Sequence, residues 1–118
     1  MLGGMSAPPL SIRLLLAKRV RELRKAAGWS QTELGVRMGF SESNSSAVRI
    51  SRYESGDSAP GLDTIKQLAA ALGVSASYLV AETEELAEWI RHFDAASAKE
   101  RKALLESIGA RREGDNGD

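Results

Sequence analysis

Cysteine is absent from the 118-residue chain. That excludes a disulfide framework, cysteine-ligated zinc, iron–sulfur clusters and a thiol nucleophile. The single histidine, His92, cannot supply a histidine-rich metal site, so no metal is expected. Long apolar runs are also missing, and no segment is long enough to cross a bilayer. The N-terminal stretch MLGGMSAPPL lacks the basic segment and apolar core of a secretion signal. A cytoplasmic protein is the expectation. No P-loop, no Ser/Lys or Ser/His/Asp arrangement and no carboxylate cluster with a histidine is found. The length leaves no room for a self-cleaving peptidase or a sugar-type effector domain. An enzyme is therefore not expected, and neither is a cofactor.

What is present is an ordinary globular composition, 42% apolar and 27% charged, whose net charge of zero conceals an uneven distribution. Residues 1–60 hold nine Lys/Arg against five Asp/Glu, and residues 61–118 hold seven against eleven. A basic half beside an acidic half suggests that the first half meets a polyanion.

The periodicity is helical throughout, and no strand pattern occurs. Residues 1–9, with two glycines and two prolines, read as a disordered arm in which Met1 and Met5 both offer a start. From Leu10 onward, Ile12, Leu16, Val20, Leu23 and Ala27 form one apolar stripe, with Lys18, Arg19, Arg21 and Lys25 off it. Gly28 stops this helix, and Ser30 with Glu33 makes a capping box for a short second one ending near Gly39. A third helix should start within 41–46 and run through Val48, Ile50 and Tyr53 to Glu54. After the loop 57–61, Leu62, Ile65, Leu68, Ala69 and Leu72 mark a fourth helix closed by Gly73, and Ser75 caps a short fifth.

Two short helices joined by a turn are a helix-turn-helix outline. The residues sharpen it. VRELRKAAGWSQTEL at 20–34, ISRYESG at 50–56 and LDTIKQLAAALGVS at 62–75 strongly resemble, in order and helix length, the lambda-repressor-like, Xre-type family of helix-turn-helix transcriptional regulators. The expected fold class is all-α: a five-helix lambda-repressor-like DNA-binding domain over 10–81, with a C-terminal helical extension over 82–112 and a disordered tail over 113–118. The resemblance implies that the third helix enters the DNA major groove. Ser46, Ala47, Val48, Arg49 and Arg52 are the candidate base contacts. Arginine reads guanine through two parallel donors, and valine can touch a thymine methyl. The helix start at Gln31 and Ser30, together with Ser55, would hold phosphates. Arg24 and Glu54 match the family's structural ion pair between helices one and three.

Two departures stand out. Trp29 replaces the usual leucine. The stretch from Gly39 to Ile50 spans eleven steps, about five more than the family pattern. The extra residues fall in 42–47, and either lengthen the turn or extend the third helix.

Beyond residue 81 two further helices are expected, with acidic 82–85 at the start of the first and a Ser97/Glu100 box at the start of the second. Leu86, Trp89, Ile90, Phe93, Leu104, Leu105 and Ile108 form apolar stripes too short to bury themselves. They are candidate dimerisation residues. The function expected is sequence-specific binding of double-stranded DNA by a homodimeric repressor at a palindromic operator. The alternative is an antitoxin whose C-terminal helices sheath a toxin partner. No membrane partner is expected.

Overall fold

The computed structural model describes residues 11–40 and 44–116, and its elements are all helical. The arm at 1–9, both starts, the first residues of the α2–α3 insertion and the last two residues of the tail lie outside the described residues. Seven helices follow in order: α1 Ile12–Ala26, α2 Gln31–Arg37, α3 Asn44–Ser55, α4 Leu62–Leu72, α5 Ala76–Leu79, α6 Glu84–Ala95 and α7 Ala98–Asn116. Among the described residues no helix is long and apolar enough to cross a membrane.

Local chemistry sets most boundaries. The Ser11 side chain accepts from the Leu14 amide at 3.2 Å and opens α1. Ser30 and Glu33 form a reciprocal capping box, Ser30 Oγ accepting at 3.0 Å and Glu33 Oε1 accepting from the Ser30 amide at 3.1 Å. Ser75 and Thr83 cap α5 and α6 one way only, their side-chain oxygens accepting from the Tyr78 and Leu86 amides. Gly28 and Gly39 follow α1 and α2 with φ of 77° and 95°, a left-handed turn that a side chain would resist.

The core of the first five helices is Leu16, Val20, Leu34, Ile50, Tyr53, Leu68, Ala69 and Leu79. α3 packs against α2 and α1, and α4 and α5 close the other side. Four expectations about the stripes need correction. Ala27 is exposed, because it caps the end of α1. Ile12 is exposed, because the first turn of α1 overhangs the core, and Leu15 is buried instead. Leu62 is 86% exposed at the start of α4. Arg19, which lies off the apolar stripe in the sequence, is 1% exposed and has the largest fully buried side chain.

Arg19 joins the first five helices to the sixth. Its Nη1 donates to the carbonyls of Leu79 at 3.2 Å and Ala81 at 2.6 Å, and its Nη2 to Thr83 O at 3.4 Å and Glu84 Oε1 at 3.3 Å. The free carbonyls at the end of α5 are thereby satisfied from α1. Its guanidinium and that of Arg91 both lie over the Tyr78 ring, at 5.6 and 5.4 Å. Ala87 is buried, so one side of α6 sits on the domain.

α7 packs extensively on no other helix. It starts from the Ser97/Glu100 box, and Arg101 donates back to the Phe93 and Asp94 carbonyls at 2.7 and 2.9 Å, closing the end of α6. The tail expected at 113–118 is helical through Asn116. Arg111, Arg112 and Glu113 are good helix formers and continue α7 without tertiary support.

Candidate nucleic-acid interface

α2 and α3 form the turn-linked pair. Their close approach rests on Gly35, where a Cβ would lie 3.2 Å from the Ser46 Cβ and would overlap the Ser46 hydroxyl. The helices can touch only because α2 has no side chain there.

This contact removes one expected base reader. Ser46 is 2% exposed and its hydroxyl is buried without a partner among the described residues. It faces α2 and cannot reach a groove. Ser46, Ile50 and Tyr53 define the inner side of α3. Ala47 is half-buried at its edge. Val48, Arg49, Ser51, Arg52 and Ser55 are exposed. Ser51 was missed by the sequence reading. Its position one turn before Ser55 and three residues after Val48 is the signal that would have found it.

The two arginines of α3 are held differently. The Arg49 guanidinium stacks 4.0 Å from the Phe40 ring centroid and donates from Nη2 to the Tyr53 hydroxyl at 3.3 Å. Arg52 is exposed, with no ion pair or side-chain hydrogen bond among the described residues. Ser55 Oγ donates to the Arg52 carbonyl at 3.1 Å and accepts from the Asp57 amide at 3.2 Å, so it shapes the exit of α3.

The orientation of α3 is fixed from α1. Arg24 meets Glu54 with two parallel bonds, Nε to Oε2 at 2.6 Å and Nη2 to Oε1 at 2.9 Å, and its Nη1 donates to the Trp29 carbonyl at 2.8 Å. Both side chains are nearly buried. The hydrogen bond to Glu54 raises the Arg24 pKa above its ordinary value, against the opposing effect of burial. Gln31 joins this pair, its Nε2 donating to Glu54 Oε1 at 3.2 Å. At the start of α2, the first bond along the helix is Leu34 N to Ser30 O, and Ser30 caps Glu33. The amides of Gln31 and Thr32 precede these and have no acceptor within α2.

The seven candidate dimerisation residues are not absorbed by the fold. Trp89 is 60% and Leu105 65% exposed, Leu86, Phe93, Leu104 and Ile108 are also exposed, and Ile90 is half-buried. Trp89, Ile90, Phe93 and Leu104 line an apolar groove of about 440 Å³ between α6 and α7.

Residues 20–79 match the helix-turn-helix family HTH_3. The chain belongs to that family, the lambda-repressor-like class of DNA-binding transcriptional regulators. Among solved structures it is similar to the transcriptional regulator BswR, with 33% identity over 80% of this chain and 92% of that one, and a TM-score of 0.71. It is also similar to the hypothetical transcription factor NHTF from Neisseria, with 30% identity over 71% and 94% of the two chains and a TM-score of 0.57. The SinR protein/SinI protein complex shares the fold at 23% identity, over 83% and 98%, with a TM-score of 0.60. No curated protein matches the chain.

Proposed function

We propose that the protein is a repressor that binds a near-palindromic operator as a homodimer. The observation that carries the reading is the exposed side of α3, bearing Val48 and Arg52 and fixed to α1 by the Arg24–Glu54 pair. Val48, Arg52 and Ala47 contact bases. Gln31, Ser30 and Ser55 stand near phosphates, with the free amides at the start of α2 supplying donors. A DNA ligand puts this action in the cytoplasm, with the genome.

The apolar side of α6 and α7 supports the dimer. Each large side chain covered there stabilises association by roughly 1.5–3 kcal/mol, so a handful suffices. One recognition helix reads only a few base pairs, and a twofold partner doubles the site. The two recognition helices would then lie about 34 Å apart on one side of the duplex. Bound across a promoter, such a dimer excludes polymerase.

Sedimentation of the intact protein at about 0.15 M salt tests the assembly. A dimer that becomes monomeric in Trp89→Glu and Phe93→Glu supports it. A monomeric wild type overturns it, and a monomer that co-purifies with one small protein on α6 and α7 supports the antitoxin alternative. Selection of bound duplexes from a random pool tests the operator, which should be two inverted half-sites about one helical turn apart.

A further inference from the structure

The exposed face of α3 carries two arginines, but only one is available to a base edge. Arg49 is committed twice, to the Phe40 ring and to the Tyr53 hydroxyl, and Tyr53 is itself buried in the core. Turning Arg49 outward breaks both contacts. Its contact with Phe40, within the α2–α3 turn, draws its charge toward that turn. Arg52 has no such tie among the described residues, and its five donors remain free for an acceptor pair. Val48 lies one helical turn before Arg52 and is 49% exposed. Residues four apart on a helix have neighbouring side chains, about 5–6 Å apart at Cβ.

On the reading that α3 enters the major groove, we infer that Arg52 alone of the two arginines reads a guanine, that Val48 contacts a thymine methyl beside it, and that Arg49 holds backbone phosphate. The chemistry of each contact sets the half-site. Guanine offers N7 and O6 as a matched acceptor pair for a guanidinium, and thymine offers the one methyl group in the groove. The side-chain spacing corresponds to about two base steps, so each half-site contains a guanine within about two steps of a thymine. Ser51 and Ser55 flank these readers and add polar contacts without choosing between them.

The test is selection from a random duplex pool with the full-length protein and four variants. The wild type is expected to enrich a guanine with a thymine within about two steps of it. Arg52→Ala should lose the guanine and keep the thymine, lowering affinity for the selected site by about 5- to 150-fold relative to random duplex. Arg52→Lys should keep the salt dependence yet lose most of the discrimination, because an ammonium lacks the paired donors. Val48→Ala should relax the thymine position alone. Arg49→Ala should weaken selected and random duplexes equally and lower the salt slope by about one. All five proteins should melt cooperatively, since these side chains lie outside the core. A guanine that survives Arg52→Ala, or one that disappears in Arg49→Ala, overturns this assignment and leaves the operator reading intact. A wild type that enriches no sequence overturns both.

Discussion

The Arg19 guanidinium lies 2.6 Å from the carbonyl oxygen of Ala81, sixty-two residues later in the chain. A charge buried this deeply persists only where several acceptors surround it. Here three carbonyls and the Glu84 carboxylate do so. Arg19→Ala should destabilise the protein by about 3 kcal/mol, since it strands buried carbonyls and leaves a void. Arg19→Lys should recover only part, because one ammonium cannot span four acceptors. Thermal melting measures both, and limited proteolysis should show cleavage appearing between α5 and α6 first. An unchanged melt for Arg19→Ala contradicts this account.

The Arg24–Glu54 pair is expected to behave as a unit. Either Arg24→Ala or Glu54→Ala should cost about 3 kcal/mol, because each leaves an uncompensated charge where water is scarce. The double variant should cost less than the sum, which a double-mutant cycle by denaturant unfolding measures. The pH sign follows from the direction of the Arg24 shift. Its pKa is raised on folding, so its contribution is complete at any pH below the ordinary arginine pKa and is lost only above it. Alkaline titration short of that value should leave the difference between wild type and Arg24→Ala unchanged.

Gly35 and Ser46 predict opposite signs for two conservative changes. Gly35→Ala drives a methyl into Ser46 and should destabilise by about 1–3 kcal/mol, the usual cost of overpacking. Ser46→Ala removes a buried hydroxyl that has no partner among the described residues, and should be neutral or mildly stabilising. Combining Gly35→Ala with Ser46→Gly should restore much of the loss. Melting temperatures of the four proteins decide it, and Ser46→Ala should leave the selected DNA sequence unchanged.

The start of α7 should respond to acid. The Ser97 backbone amide, and then its hydroxyl, lower the pKa of Glu100 below the ordinary carboxylate value. A group whose pKa falls on folding supports the folded form above its unfolded pKa and loses that support as pH drops through its folded one. Helical circular dichroism should therefore decline below the ordinary carboxylate range, and Glu100→Gln should remove that part of the titration.

The elements were legible where their causes are local. The Ser30/Glu33 and Ser97/Glu100 boxes, the Gly28 and Gly73 stops and the Ser75 cap each lie within a few residues of the boundary they set. The Arg24–Glu54 pair was legible through the family's motifs. The burial of Arg19 was not, because it depends on the carbonyls of Leu79 and Ala81 arriving from the far end of the domain. Nothing in the α1 stripe marks that position. Ser46 was misjudged for a related reason. A serine near a helix start ordinarily faces water, and only the bare backbone of Gly35 on another helix turns it into a packing residue. The α2–α3 insertion divides between the stretch outside the described residues and the first turn of α3, which begins six residues before Ile50.

The two tryptophans of the chain stand on different surfaces. Trp29 is half-buried beneath Arg37, whose guanidinium lies 4.1 Å from its ring centroid, at the entrance to α2. Trp89 stands on the open side of α6. Intrinsic fluorescence can therefore separate the two events of the proposed function. If the proposed dimer forms, the emission of Trp89 should shift to the blue as rising protein concentration covers α6, and that of Trp29 should change when duplex is added. Replacing either by phenylalanine isolates the other signal, so assembly and DNA binding can be followed in one cuvette without an added dye.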